Sequence, residues 1–355
     1  MRILHLLNHV RKIGNGIVNV TVDLACLQSK AGCSVFVASA GGEFESLLKQ
    51  FGVHHVHLNQ RRRPIQLLST SFRYRKLVRD IEPDIVHAHM MTGAVLARIL
   101  QGQSPYSIVS TVHNEFQHGA IVMGVADRVI AVSQAVAVSM ARRGIPTNKL
   151  RVVRNGTLGS PRVGAADAPV RLRRPAIVTL AGMYHRKGIS ELIQAFAQVS
   201  PVFTDAHLYL IGNGPDRGEF EQQARRTSVN ERIHFEGFQP DPQRYLLAAD
   251  IFVLASRQDP FPLVLSEARE AGCAIVASRV DGIPEALDGG RAGWLVPPAD
   301  SRALARAIAE LLQQPPLLST WKYKARQNID WLSAARVNQE TLEVYRDIRR
   351  SGQRV

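Results

Sequence analysis

Hydrophobic and polar positions alternate along most of the chain in a pattern of short strands followed by longer helices. The predicted strands are apolar runs rich in Val and Ile, which is typical of a parallel sheet covered on both faces. In the first half they are predicted at residues 2–7, 34–40, 84–89, 106–112, 127–132 and 150–153, with helices at 18–29 and 43–51. This repeated alternation favours a doubly wound α/β domain.

The alternation is interrupted over residues 157–175, where Gly, Pro, Ser, Ala and Arg replace any apolar period. A second series follows, with strands predicted at 176–181, 207–211, 232–235, 251–255 and 274–277 and helices at 188–198, 263–271 and 301–313. We therefore predict two tandem doubly wound, Rossmann-like domains, residues 1–158 and 176–334, joined by a linker at 159–175. Because ligands of such sheets bind at the carboxyl ends of the strands, we expect a site in a central cleft that both domains face.

The composition agrees with a two-domain globular protein. The chain has 355 residues, 45% of them hydrophobic and 21% charged. It has no apolar run long enough for a transmembrane helix, and no cleavage site follows the apolar residues 1–8, so we expect a buried first strand rather than a signal peptide. Three cysteines without metal-ligand spacing (Cys26, Cys33 and Cys273) favour reduced thiols in a cytoplasmic protein.

The charge of the chain points to an anionic partner. The formal net charge is +14, and a basic surface attracts nucleic acid, anionic lipid or phosphorylated substrates without choosing between them. An aromatic content of 6%, with no basic stripe interleaved with aromatics, disfavours nucleic acid.

Two carboxylates mark the most informative segment of the second domain. Asp259 lies in the loop after a predicted strand, and Glu267 follows eight positions later on a helix whose first residue we expect to be Pro262. Free N–H groups at the helix start, at Leu263 and Val264, suit a phosphate, and the carboxylates suit sugar and ribose hydroxyls. For an isolated pair, Asp259 would more often be a helix cap and Glu267 a solvated helix residue.

This segment resembles the Glu-x7-Glu signature of the family 4 (group 1) glycosyltransferases, which have the GT-B fold. It stands here as Asp259-Pro-Phe261-Pro-Leu263 followed by Glu267-Ala268, whereas the family usually has Glu-Gly-Phe-Gly-Leu. The resemblance implies that Asp259 contacts the donor sugar, that Glu267 binds the ribose diol, and that Phe261, Leu263 and Val264 line the donor site.

Further segments resemble family elements in the expected order. Gly182-Met-Tyr-His-Arg186-Lys187-Gly188 resembles the Arg/Lys pair that binds the donor diphosphate, with Met183 where the family often has Arg. The loop that ends in Gly14-Asn-Gly16 resembles the family's glycine loop beside the donor phosphates, and Gly212-Asn-Gly214-Pro215 resembles the family's loop that borders the nucleotide.

The predicted first domain contributes histidines. Thr111-Val-His113 resembles the family's Thr-x-His segment, which implies that His113 lies near the donor sugar. We expect His87 to be structural and His89 to be a weak acceptor-side candidate. A metal site is not expected there, since His87-x-His89 has no third ligand nearby in the sequence.

The resemblance also implies a mechanism and partners. It implies a retaining transfer from a nucleotide-sugar donor without cofactor or divalent metal, and the sequence contains no Asp-x-Asp. The acceptor would be a glycan or a lipid diphosphate. Basic segments at 61–64 and 73–76 suit peripheral contact with an anionic membrane, and the last helix, within residues 335–355, would pack back on the first domain.

The sequence leaves other functions open. A GT-B nucleotide-sugar epimerase or a non-catalytic donor-binding relative would use the same donor residues. A dinucleotide oxidoreductase is disfavoured because Gly14-x-Gly16 lacks the third glycine of that fingerprint, with Asn at position 19. The identities of the sugar, the base and the acceptor do not follow from the sequence.

Overall fold

The computed structural model describes residues 1–60, 64–164 and 168–352. It divides into two compact units, the first formed by Met1–Gly164 with Leu332–Val355 and the second by Ala165–Trp331. The basic residues at 61–63, named above as part of a membrane-facing segment, lie outside the described residues.

The first unit is built on a parallel sheet. Its strands are β1 (Arg2–Leu6), β2 (Ser34–Ser39), β3 (His54–His57), β4 (Ile85–Ala88), β5 (Ser107–Val112), β6 (Arg128–Ala131) and β7 (Leu150–Val152). The helices between them are α1 (Gly16–Lys30), α2 (Glu45–Gln50), α3 (Pro64–Ile81), α4 (Met91–Ile99) and α5 (Gln134–Arg142). The strand order β3-β2-β1-β4-β5-β6-β7 reverses direction between β1 and β4.

The second unit repeats this plan. Its strands are β8 (Ala176–Leu180), β9 (His207–Ile211), β10 (Ile233–Gly237), β11 (Ile251–Leu254), β12 (Ala274–Ser278) and β13 (Trp294–Val296). Its helices are α6 (Ile189–Val199), α7 (Arg217–Arg225), α8 (Gln243–Ala248), α9 (Leu263–Ala271), α10 (Ile283–Ala286), α11 (Ser301–Gln313) and α12 (Pro315–Ala325). The parallel order β10-β9-β8-β11-β12-β13 reverses between β8 and β11.

The last helix, α13 (Ala334–Gly352), belongs to the first unit and packs on α1. Its Tyr345 is fully buried, and the amide of Gln28 on α1 donates a hydrogen bond to the Tyr345 hydroxyl at 3.4 Å. Nearer its end, Arg349 forms an ion pair with Asp84 at 3.2 Å. The C-terminal helix is therefore part of the polar interior of this unit as well as of its surface.

The cores explain why the strands are visible in the sequence. Every residue of β12 and every residue of β9 is buried, as expected where helices cover both faces of a sheet. Two parallel sheets with interleaved helices confirm the predicted pair of Rossmann-like domains. Among the described helices, none is long and apolar enough to cross a membrane.

Several elements were not predicted from the sequence. Strand β3 has the sequence His-His-Val-His and lies at the sheet edge, partly exposed, so it lacks the apolar run of a central strand. Strand β13 has only three residues. Helices α3, α4, α5, α7, α8, α10 and α12 were also not predicted.

Candidate active site

Lys187 and Asp259 form a direct ion pair at the carboxyl edge of the second sheet. Lys187 follows β8 and Asp259 follows β11, the two strands between which the sheet order reverses. Nζ of Lys187 lies 2.6 Å from Oδ2 of Asp259, and the two side chains are 15% and 6% exposed. Ligands of doubly wound sheets bind at this position of the sheet.

The close packing of the two loops depends on Gly188. Its φ of 67° is in the left-handed region, and a Cβ on this residue would lie 1.9 Å from the carbonyl oxygen of Ala255. The neighbouring N–H of Arg257 donates to the carbonyl of Arg186 at 2.8 Å. A glycine at this position therefore lets the Lys187 loop lie directly on the Asp259 loop.

Asp259 is held by three further contacts. The hydroxyl of Ser256 donates to its Oδ2 at 3.1 Å, and its own N–H donates to Oδ2 of Asp281 at 2.8 Å. The N–H of Gly282 donates to its carbonyl oxygen at 3.2 Å. Asp259 is therefore a buried acid in a fixed position, and it does not cap the following helix.

Asp281 was not predicted as a site residue from the sequence, although it contacts Asp259 in the candidate site. Its backbone has a φ of 46°, which is uncommon for a residue with a side chain. Burial raises the pKa of its carboxyl group, and this effect outweighs the hydrogen bond from the N–H of Asp259, which lowers that pKa. The available signal was an Asp-Gly pair soon after a buried strand, here β12.

Helix α9 spans Leu263–Ala271, as the predicted range 263–271 has it, but the expectation that Pro262 is its first residue is wrong. Pro262 has φ −73° and ψ 120°, so it is an extended residue before the helix, and Leu263 and Val264 are the first two helical residues. No side chain caps this helix start. Its first backbone N–H groups therefore follow the Asp259 loop directly, where they suit an anion.

The other donor-side candidates occupy different surroundings. Glu267 lies half-buried on α9, and Phe261 is buried with its ring edge-on to Trp331 at 6.3 Å between centroids. Gly214 packs on the loop after β8, since a Cβ there would lie 2.3 Å from the carbonyl oxygen of Met183.

The loop after β8 places Met183, Arg186 and Lys187 in different surroundings. Met183 is fully buried in the core, so its side chain contributes apolar packing where the family often has Arg. Arg186 is half-buried, and its guanidinium lies 5.7 Å from the centroid of the Tyr184 ring. Lys187 is therefore the cation that the loop directs onto the acid, and Arg186 lies beside it.

A separate cavity of about 560 Å³ lies in the first unit. It is lined by residues of the loops after β1, β4 and β5, among them Asn8, Arg11, Asn15, His89, His113 and Asn114. Gly16 is the exposed first residue of α1, and Asn15 caps this helix by accepting a hydrogen bond from the N–H of Ile17 at 3.0 Å. The predicted candidates Gly16 and His113 thus belong to the first unit, whereas Lys187, Asp259 and Glu267 belong to the second.

Behind this cavity the structure gathers more histidines than the sequence suggested. The expectation that His87 and His89 lack a third partner is wrong, because parallel pairing of β1 with β4 places His5 opposite His87. Ligand atoms of His5, His87 and His89 lie within 4.8 Å of one another. Residues on different strands are close only after the sheet forms, so no local spacing could show this.

These imidazoles hydrogen bond to one another and to neutral groups. Nδ1 of His5 lies 2.9 Å from Nε2 of His89, whose Nδ1 lies 3.1 Å from Nε2 of His113. The two nitrogens of His87 contact the hydroxyls of Tyr345 at 2.5 Å and Thr111 at 2.7 Å. The nitrogens of His5, His87 and His89 are thus engaged in hydrogen bonds. A metal cation could bind them only by displacing those hydrogen bonds.

Burial keeps these rings uncharged. It lowers the pKa of His5 to about 4 and that of His113 to about 3, and it holds the pKa of His87 and of His89 well below 6.5. At neutral pH each ring therefore carries one proton.

Comparison with known proteins agrees with this arrangement of two units. Residues 14–157 match the family described as Glycosyltransferase Family 4, and residues 166–328 match the family described as Glycosyl transferases group 1. The two matches together span most of the chain, which belongs to the group 1 glycosyltransferases. The resemblance expected from the motifs at Asp259 and Glu267 is confirmed at the level of the family.

Individual proteins of known description share only a modest sequence identity with this chain. The chain is 29% identical over 189 residues to the lipopolysaccharide core biosynthesis glycosyltransferase LpsE of Rhizobium meliloti (strain 1021), and the match spans 53% of this chain and 52% of that protein. It is 25% identical over 248 residues to LpsD of the same strain, over 69% of this chain and 70% of that protein. The structure of Anabaena HepE in complex with UDP-glucose has the same fold, with a TM-score of 0.82, 21% identity and coverage of 98% and 100%.

Proposed function

We propose that this chain is a retaining, metal-independent glycosyltransferase that moves a hexosyl or N-acetylhexosaminyl group from UDP to a glycan or lipid-diphosphate acceptor. The synthesis it serves would be that of a cell-surface polysaccharide or glycolipid. The observation that carries the proposal is the Lys187–Asp259 pair beside the uncapped start of α9. The UDP-glucose complex of HepE and the lipopolysaccharide relatives support the donor and the acceptor class.

In this proposal the donor diphosphate is bound by Lys187 and Arg186 and by the N–H groups of Leu263 and Val264. A helix start and two cations can offset the charge that develops as the sugar–phosphate bond breaks, which is the role a metal ion would otherwise have. Glu267 would accept hydrogen bonds from the ribose hydroxyls, with Phe261 and Gly214 bordering the nucleotide.

The ion pair suggests how donor binding and sugar recognition are linked. A diphosphate that approaches Lys187 competes with Asp259 for the same ammonium group. When the ammonium turns to the phosphate, the Asp259 carboxylate gains acceptor capacity for sugar hydroxyls. Ser256 and the N–H contact with Asp281 would hold the Asp259 loop in place during this exchange.

The transfer itself needs no protein nucleophile. The acceptor hydroxyl attacks the anomeric carbon on the face from which the diphosphate departs. A bond from carbon to the acceptor oxygen forms, the bond to the phosphate oxygen breaks, and the leaving phosphate takes the hydroxyl proton. His113, in the cavity of the first unit, would hydrogen bond to a substrate hydroxyl, and the Gly16 loop would leave room for substrate.

A peripheral membrane contact is part of the proposal for a lipid acceptor. Helix α3 exposes Phe72, which is 72% accessible, next to the exposed Arg73, Arg75 and Lys76. An aromatic side chain among cations suits the interface of an anionic bilayer.

The proposal is tested by incubating the chain with UDP-sugars and with acceptor glycans or lipid diphosphates. Product should form only with acceptor present, and nuclear magnetic resonance should show the donor's anomeric configuration in the new linkage. Inversion of that configuration would overturn the retaining mechanism. Conversion of the UDP-sugar to its epimer without acceptor would identify an epimerase instead.

A further inference from the structure

A line of hydrogen bonds runs from helix α1 to the cavity of the first unit. Oε1 of Gln28 lies 2.7 Å from Nε2 of His5, whose Nδ1 lies 2.9 Å from Nε2 of His89. Nδ1 of His89 in turn lies 3.1 Å from Nε2 of His113. Gln28 and His5 are fully buried, while His89 and His113 line the cavity.

Gln28 determines which atom donates and which accepts in each hydrogen bond of this line. An amide oxygen can only accept, so Nε2 of His5 must carry the proton, and Nδ1 of the neutral ring then accepts. Nε2 of His89 must therefore donate to His5, and Nε2 of His113 must donate to His89. The single ring proton of His113 therefore lies on Nε2, which donates it to Nδ1 of His89.

The other nitrogen of His113 is then a lone pair. Across the part of the chain that the structure describes, Nδ1 of His113 makes no hydrogen bond, and the residue lines the cavity. A neutral imidazole with Nδ1 unprotonated is a hydrogen-bond acceptor, and a hydroxyl group is the matching donor.

A second branch of hydrogen bonds is consistent with this orientation of the Gln28 amide. Its Nε2 donates to the hydroxyl of Tyr345 on α13, and that hydroxyl lies 2.5 Å from Nδ1 of His87. Tyr345 can then give its own proton to His87, whose Nε2 donates to the hydroxyl of Thr111 at 2.7 Å. All four members of this branch are buried, so turning the amide over would require every proton in it to be reversed.

We propose that Gln28 is a positioning residue that acts through His5 and His89 to hold His113 as its Nε2–H tautomer, so that Nδ1 of His113 accepts a hydrogen bond from a substrate hydroxyl. The substrate part of this inference rests on the proposed transferase function. The tautomer part does not, because it concerns only the chain's own protons.

Nuclear magnetic resonance of the imidazole nitrogens tests the tautomer directly in the full chain. Protonated and unprotonated ring nitrogens give well-separated ¹⁵N signals, and His113→Gln identifies the His113 signals by their loss. The native chain should show His113 as the Nε2–H form alone. A native His113 protonated on Nδ1 would overturn the proposal.

Gln28→Leu removes the acceptor at the head of the line. Its His113 should become a mixture of both tautomers, and the turnover number for transfer should fall about fivefold, as expected for one lost hydrogen bond, with the KM for donor nearly unchanged. Cys26→Ala is the matched control, since Cys26 is also buried on α1 but outside the line. An unchanged His113 tautomer in Gln28→Leu would contradict the proposed role.

The same spectra separate this inference from the function. If the His113 tautomer depends on Gln28 but the chain has no transferase activity, the role of the hydrogen-bond line is supported and the proposed function is rejected. A stoichiometric metal ion in the purified protein that is lost in His5→Ala would contradict the proposed line of hydrogen bonds. Metal coordination would then replace the proton between His5 and His89.

Discussion

Nζ of Lys187 and Oδ2 of Asp259 lie 2.6 Å apart, which makes the cation and the acid of the candidate donor site each other's direct partners. Both residues follow central strands of the second sheet, and their loops touch through the backbone of Gly188 and Ala255. A diphosphate and Asp259 therefore compete for one ammonium group, and this competition has consequences that variants can measure.

Replacing Asp259 by Asn should separate nucleotide binding from transfer. The amide no longer neutralises Lys187, so UDP should bind about fivefold more tightly, corresponding to roughly 1 kcal/mol. Transfer from the UDP-sugar should nevertheless fall about 100-fold, because the contact to the sugar is lost. Calorimetric titration with UDP and a steady-state assay measure the two effects.

Asp300→Asn is the control for this prediction, since Asp300 caps α11 by accepting from the N–H of Ala303 at 2.8 Å. This variant should keep the UDP affinity, and its stability should change little because an Asn oxygen caps α11 in the same way. An Asp259→Asn chain that binds UDP more weakly than the native protein would argue against competition for Lys187.

Gly188→Ala should disrupt the same site through the backbone. The new methyl group would meet the carbonyl of Ala255 at 1.9 Å, so one of the two loops must move. We expect a loss of about 2–3 kcal/mol in the free energy of unfolding and a loss of UDP binding. Denaturant titration and calorimetry measure both.

Gly289→Ala supplies the comparison, because Gly289 has a similar φ of 73° but open space around its missing side chain. Its cost should be that of the left-handed backbone alone, about 1 kcal/mol, with UDP binding retained. Equal losses in the two variants would mean that the close approach to Ala255 is unimportant.

The buried histidines predict how stability depends on pH. In the unfolded chain these rings have the ordinary pKa of 6.5, whereas in the folded chain the pKa of His5 is about 4 and that of His113 about 3. Between these values the unfolded state binds more protons, so the free energy of unfolding should fall as the pH is lowered from 6.5 toward 4. The contribution of His5 is on the order of 3 kcal/mol.

Urea titrations at pH 7, 6 and 5 measure this slope. The slope should be shallower in His5→Gln, which cannot take up a proton, than in a control with the exposed His118 replaced by Gln. Equal slopes in the native chain and in His5→Gln would contradict a neutral buried His5.

The membrane contact predicts salt-sensitive binding to lipid. The full chain should sediment with vesicles of phosphatidylglycerol at low salt and be released at high salt, because the attraction is screened. Arg73→Glu with Lys76→Glu should weaken sedimentation. Arg302→Glu with Arg306→Glu, an equal charge change at exposed positions of α11, should not. Absence of binding at low salt would remove the membrane contact.

The sequence predicted the fold class because central parallel strands such as β9 and β12 are buried on both faces and appear as unbroken apolar runs. It failed at β3, a histidine-rich edge strand, because exposure removes that signal. Lys187 and Asp259 could be named from motifs, but their direct pairing could not, since it depends on the order of β8 and β11 in the sheet.

The partners of these residues were beyond the sequence for the same reason. Asp281 contacts the N–H of Asp259 across 22 positions, and Gln28 reaches His113 only through His5 and His89. Hydrogen bonds between elements are set by tertiary packing, and the local pattern around each residue carries no trace of them.

The most direct test of the proposed donor site is calorimetric titration of the full chain with a panel of UDP-, GDP- and ADP-sugars, for the native protein and for Lys187→Ala. The native chain should bind a UDP-sugar, and Lys187→Ala, with its fold intact by circular dichroism, should bind it at least about tenfold more weakly, a loss of roughly 1.4 kcal/mol or more. Binding of no nucleotide sugar by the native chain, or equal affinity in Lys187→Ala, would contradict the proposed donor site.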